Sequence, residues 1–138
     1  MANVPMEGVK LDNPSYVIDG QNFATLEEFY EEVGRVLIAG QQWGRNLDSF
    51  NDILSWPALE TGCRYLLTWK DSALSKDRLG YAAMTRKLEQ MVQTCHPSNV
   101  PSITGRLQAA RERKGPTVFD WLVEIIRKNK EYVDLRLE

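Results

Sequence analysis

The chain has 138 residues, of which 43% are hydrophobic and 26% charged, so it can bury the core of one compact domain without disulfides or metals. Its two cysteines lack C-x-x-C spacing, it has one histidine, and no apolar run approaches the roughly 18 residues of a membrane span. We therefore expect a soluble cytoplasmic protein with reduced thiols, no metal, no cofactor and no membrane contact.

The net charge of −2 conceals a strong asymmetry along the chain. Residues 19–60 carry eight acidic side chains against two basic ones, whereas residues 61–138 carry fourteen basic side chains against nine acidic ones. An acidic surface attracts a basic partner. We expect the partner of the first half to be basic.

The first elements in chain order are a strand and an amphipathic helix. Residues 1–14 have mixed polarity and no signal-like apolar run, so we expect a flexible N-terminus. Residues 15–18 favour a strand that ends at a turn, Asp19-Gly20. Thr25 and Glu28 are predicted to form a capping box that begins a helix through Leu37, and the glutamates at 27, 28, 31 and 32 are predicted to form its solvated face.

A glycine-containing loop and a short acidic helix come next. Residues 39–45 break the helical period and predict a surface loop. Asn46 is suited to cap a helix that ends at Trp56-Pro57, in which Asp48 and Asp52, four residues apart, share the outward face. An isolated acidic pair of this kind is more often an ordinary solvated surface.

The second half alternates strands and helices. Residues 64–69 are apolar enough for a buried middle strand, and residues 76–94, 117–128 and 132–137 predict a helix, a helix and a final strand. Residues 98–115, between them, contain a basic stretch whose structure the pattern does not define. The order predicts one α/β domain over residues 1–138, with a small parallel sheet.

The acidic segment resembles the barstar family. Its central motif in this chain reads W-G-R-N-L-D-S-F-N-D, from Trp43 to Asp52, and the elements around it follow in the family's order. The resemblance covers about residues 16–68 well and 117–137 more loosely. It implies a three-stranded parallel sheet packed by about four helices, with residues 98–115 as an insertion before the last helix.

The resemblance also implies a function, namely inhibition of a secreted-type ribonuclease by a loop and helix that enter its cleft. Such a cleft is lined with cations that hold phosphates, and carboxylates can take their place. Asp52 matches the family's dominant carboxylate and Asp48 its companion. The resemblance further implies that partner contacts or loop shape come from Gln42, Gly44, Asn46, Asn51 and Glu124. Trp43 is a sixth candidate, which either touches the partner or covers the core.

Some positions depart from the family pattern. Gln42 and Asn51 stand where aromatic residues touch the enzyme in the family, and Arg45 places a cation within the acidic surface. The hypothesis is a non-enzymatic inhibitor, monomeric when free, that binds one basic ribonuclease and makes no direct contact with nucleic acid. The alternatives are an interaction or immunity module for another basic partner, RNA binding by the basic stretch and, with little support, catalysis by the paired aspartates.

Overall fold

Three parallel strands form the sheet, in the order β1 (Ser15–Asp19), β2 (Tyr65–Lys70) and β3 (Val133–Leu137). The computed structural model describes residues 13–138, so the predicted flexible N-terminus lies, up to residue 12, outside the described residues. Ile18 pairs with Trp69 across β1 and β2, and Tyr65 pairs with Val133 across β2 and β3. The predicted α/β class and parallel sheet are confirmed.

One face of the sheet forms the floor of the core. Tyr65, Leu67 and Trp69 alternate along β2 and are fully buried. Two of these side chains also satisfy their polar atoms inside the core. The Tyr65 hydroxyl donates to the Leu54 carbonyl at 2.6 Å, and the Trp69 indole N–H donates to Ser75 Oγ at 2.9 Å. Buried apolar residues from Ile18 to Val133 form one cluster with them.

Seven α-helices belong to the described part of the chain, more than the four or so expected. They are α1 (Leu26–Leu37), α2 (Leu47–Ile53), α3 (Trp56–Thr61), α4 (Ser72–Arg78), α5 (Tyr81–Thr94), α6 (Val100–Arg111) and α7 (Val118–Lys128). The extra ones are short or lie in the predicted insertion. At Trp56-Pro57, proline ends the pattern of α2 but occupies the first turn of α3, where its missing N–H costs nothing.

The single helix predicted over residues 76–94 is wrong, because the structure has α4 and α5 with a break at Leu79-Gly80. The break leaves the Leu79 carbonyl free of helical bonding, and it accepts the backbone N–H of Phe119 at 2.9 Å. The first turn of α7 is thereby tied to the end of α4.

The basic stretch is also helical, as α6. Ile103, Leu107 and Ala110 repeat along one side of α6, are buried, and pack the helix against α5. Residues 98–115 therefore contribute to the core.

The glutamate face predicted to be solvated includes one buried member, Glu32, which is 5% exposed. Its carboxylate accepts the Asp19 backbone N–H at 3.0 Å, Asn22 Nδ2 at 3.0 Å, and Arg35 Nη2 at 2.8 Å and Nε at 3.2 Å. Burial acts to raise the pKa of Glu32, but the hydrogen bonds from Asp19, Arg35 and Asn22 outweigh it and lower the pKa. Glu32 therefore joins α1 to the end of β1.

Candidate partner-binding surface

Trp43 anchors the loop between α1 and α2, residues 38–46, on the side of α1. Its half-buried ring stacks edge-on against Tyr30, with ring centroids 5.5 Å apart and planes at 89°. Gly34 provides the space, because a Cβ there would lie 2.7 Å from the indole nitrogen. Burial, with a smaller effect of Glu27, raises the pKa of Tyr30 to about 12, so its phenol stays neutral beneath the loop. Gln42, one residue earlier, is exposed.

The loop joins α2 through a cap and a close approach. The Asn46 side chain accepts the backbone N–H of Ser49 at 2.8 Å, as predicted for an N-cap. Gly44 packs beside the first turn of α2, since a Cβ at Gly44 would collide with Ser49 Oγ. The start of α2 is thus fixed by Gly44 and Asn46.

Asp48 and Asp52 project from α2 into solvent. Both are exposed, and within residues 13–138 neither side chain forms an ion pair or a hydrogen bond. Asp48 lies in the first turn, where the helix dipole favours a negative charge, whereas Asp52 lies in the last turn, where the dipole opposes one. The two carboxylates are therefore exposed, without partners in residues 13–138, on a helix whose start is capped by Asn46.

The last helix supports α2 from the other end. Asn129, which follows α7, donates from Nδ2 to Asn51 Oδ1 at 2.9 Å and to the Ile125 carbonyl at 2.8 Å. The side chain predicted to touch a partner at Asn51 is therefore already hydrogen-bonded within the chain. Glu124 on α7 is exposed, with Lys128 Nζ 3.9 Å from its carboxylate.

Asn46, Asp48 and Glu124 come together at a groove of about 470 Å³, here called the α2–α6 groove. The acidic side chains lining it come from α2 and α7, whereas α5 and α6 contribute Lys87 and Arg106. The Arg106 guanidinium lies over the Trp121 ring, 5.2 Å from its centroid. The apolar lining residues are Leu47, Met91, Trp121 and Ile125.

Sequence reasoning missed the contribution of α5 and α6 to this groove. The spacing of Ile103, Leu107 and Ala110 was a usable signal for α6, but Gly105 and the nearby prolines obscured it. Asp52 does not line the groove and lies one helical turn from Asp48.

These features define an α/β domain with an all-parallel three-stranded sheet, in which a loop and a short acidic helix follow α1. The sequence model of the family described as Barstar (barnase inhibitor) matches residues 13–104, about two thirds of the chain. The chain belongs to the barstar family, which is an inhibitor family. The match includes Asp48 and Asp52 and ends within α6, before Glu124. No curated protein and no solved structure matches the chain.

Residues 13–138 contain neither a membrane-spanning helix nor a metal-binding cluster. None of the helices there is both long enough and apolar enough to cross a bilayer. That part of the chain also contains no group of three or more His, Cys, Asp or Glu side chains arranged to hold a metal ion. Cys63 and Cys95 are free thiols, each half-buried.

Proposed function

We propose that this protein inhibits a basic ribonuclease of the secreted type by covering its active-site cleft in a one-to-one, non-covalent complex. Asp52 takes the central position among the cations of the cleft and Asp48 lies beside it. The loop residues Gln42, Trp43 and Gly44 approach with them, and Glu124 adds a carboxylate from α7. The inhibitor acts as a monomer in the cytoplasm of the cell that makes the enzyme, without touching RNA itself.

The observation that carries the proposal is the pair of exposed, unpartnered carboxylates on a short helix fixed at both ends. Asn46 caps the start of α2, and the Asn51–Asn129 hydrogen bond holds its later part against α7. A carboxylate held in place loses little conformational entropy on binding, and charge-assisted hydrogen bonds are stronger than neutral ones. Family membership supplies the class of target.

The test begins with the tagged protein as bait in a lysate of its own cells, followed by a ribonuclease assay on the bound partner. Asp52→Ala is expected to weaken inhibition at least tenfold, since truncating one member of a buried charge pair costs about 2–5 kcal/mol. Asp77→Ala is a matched control, because Asp77 is an exposed helical aspartate on α4 without an ion pair in the described part of the chain. Lys130→Ala serves as a second control. Equal effects of Asp52→Ala and Asp77→Ala would refute the site.

A second candidate is an interaction or immunity module that binds a basic partner other than a ribonuclease. It is favoured by the polar Gln42 and by Asn51, whose side chain is hydrogen-bonded to Asn129. Arg45 also adds a positive charge to the acidic surface, and its one ion pair within residues 13–138 is a long contact with Glu31 at 4.0 Å. A partner that depends on Asp52 but has no ribonuclease activity would establish this second function.

A further inference from the structure

We propose that the α2–α6 groove receives a loop of the partner protein that carries an apolar side chain next to a carboxylate. The inference rests on the proposed function, because the groove continues the surface of Asp48 and Glu124. It adds that the partner is not uniformly basic. We infer that Lys87 and Arg106 bind an acidic group that lies beside the partner's basic cleft.

Three of the four charged side chains that line the groove are available to a partner, whereas Glu124 lies 3.9 Å from Lys128 Nζ. Asp48, Lys87 and Arg106 form no ion pair in the described residues, although they line one groove with Glu124. Opposite charges that line one groove without pairing favour an occupant with complementary charges of both signs.

The cationic side is held in place. Arg106 is positioned over Trp121, and α6 is fixed by its buried side against α5. Lys87 is half-buried on α5 and also lines the neighbouring pocket that contains Arg45 and Glu31. Arg45, Lys87 and Arg106 therefore line two neighbouring pockets, which share Asn46 and Lys87.

The groove suits a side chain of a protein loop. Its volume of about 470 Å³ holds one large apolar side chain and its neighbours, and its apolar lining includes Met91 and Trp121. Flexible methionine and a broad indole ring adapt well to an inserted apolar group, and aromatic residues are frequent at interface hot spots. The charged pairs around that group would fix its orientation.

The decisive experiment uses the partner that the wild-type protein captures. The partner is purified, and the dissociation constant of its complex is measured for the wild type and for two double variants. Lys87→Glu with Arg106→Glu is expected to weaken binding by about tenfold or more, because reversal places like charges opposite each other. Lys70→Glu with Lys76→Glu makes the same change in net charge away from the groove and is expected to have a several-fold smaller effect. Equal weakening by the two double variants would overturn the inference.

Hydrogen exchange on the complex gives an independent reading. Partner binding is expected to slow exchange in peptides of α5 and α6 as well as in residues 42–54. Protection of residues 42–54 without α6 would overturn the inference while leaving the proposed function intact. Loss of binding in Asp52→Ala tests the proposed function separately, so the two failures are distinguishable.

Discussion

Glu32 on α1 and Asp52 on α2 are helical carboxylates treated in opposite ways by the fold. Glu32 is 5% exposed and accepts four hydrogen bonds, whereas Asp52 is exposed and its carboxylate accepts none within residues 13–138. A buried carboxylate remains charged only where donors replace its water. An exposed one keeps its water until a partner supplies the donors. Acidic residues close together in the sequence can therefore lie in opposite environments, and under the proposed function Glu32 serves stability whereas Asp52 serves recognition.

The largest effect on stability is expected for Glu32→Gln. The change removes the charge from a carboxylate that holds Asp19, Asn22 and Arg35, and should lower the free energy of unfolding by about 2 kcal/mol. Denaturant titration measures it. Glu27→Gln is the matched control, since Glu27 is exposed on the same helix. Similar losses for the two variants would show that Glu32 is not a structural link.

The pH dependence of the free energy of unfolding tests the contribution of the charged Glu32 carboxylate to stability. Because the pKa of Glu32 lies below its ordinary value of 4.5 in the folded protein, the unfolded chain binds the proton first on acidification. The contribution is therefore complete above the ordinary pKa and is lost as the pH falls through the lowered one. Unfolding followed from about pH 6 to about pH 3 should show a steeper loss for wild type than for Glu32→Gln. Parallel curves would contradict the assignment.

The opposite environments of Glu32 and Asp52 illustrate which features the sequence predicts and which it does not. The strands, α1 and the Asn46 cap follow from local patterns, and the barstar motif makes Asp48 and Asp52 the candidate site residues. The burial of Glu32 did not follow, because the helical period groups it with Glu28 and Glu31, and its partners Asp19 and Asn22 lie outside the helix. Helical periodicity predicts which face of a helix a residue lies on, but it does not predict which other segments of the chain cover that face.

The α2–α6 groove was not predictable for a related reason. Lys87 and Arg106 lie about 40 and 60 residues beyond Asp48, and only the packing of α5 and α6 beside α2 and α7 places all three at one groove. No short motif contains this information.

Asn46→Ala tests whether inhibition needs a well-formed α2 as well as the charges of Asp48 and Asp52. Loss of the cap to Ser49 should cost about 1 kcal/mol of stability and weaken inhibition although both aspartates remain. Asn99→Ala is a close control, since Asn99 precedes α6 without a side-chain capping bond. Thermal unfolding and the ribonuclease assay measure the two effects. A stable Asn46→Ala variant with full inhibition would mean that binding does not depend on the fixed start of α2.

The smallest effect has the opposite sign. Asp52→Asn should raise the free energy of unfolding by about 0.5 kcal/mol, because it removes a charge from the unfavourable end of α2 and ends the repulsion with Asp48. Asp48→Asn should change it less, since the loss of a charge at the favourable end of α2 offsets the relief of the same repulsion. Denaturant unfolding of both variants at low salt measures the pair. If Asp52→Asn is more stable but inhibits less, the Asp52 carboxylate serves partner binding at a cost in stability. If Asp52→Asn is less stable, Asp52 is a structural carboxylate like Glu32.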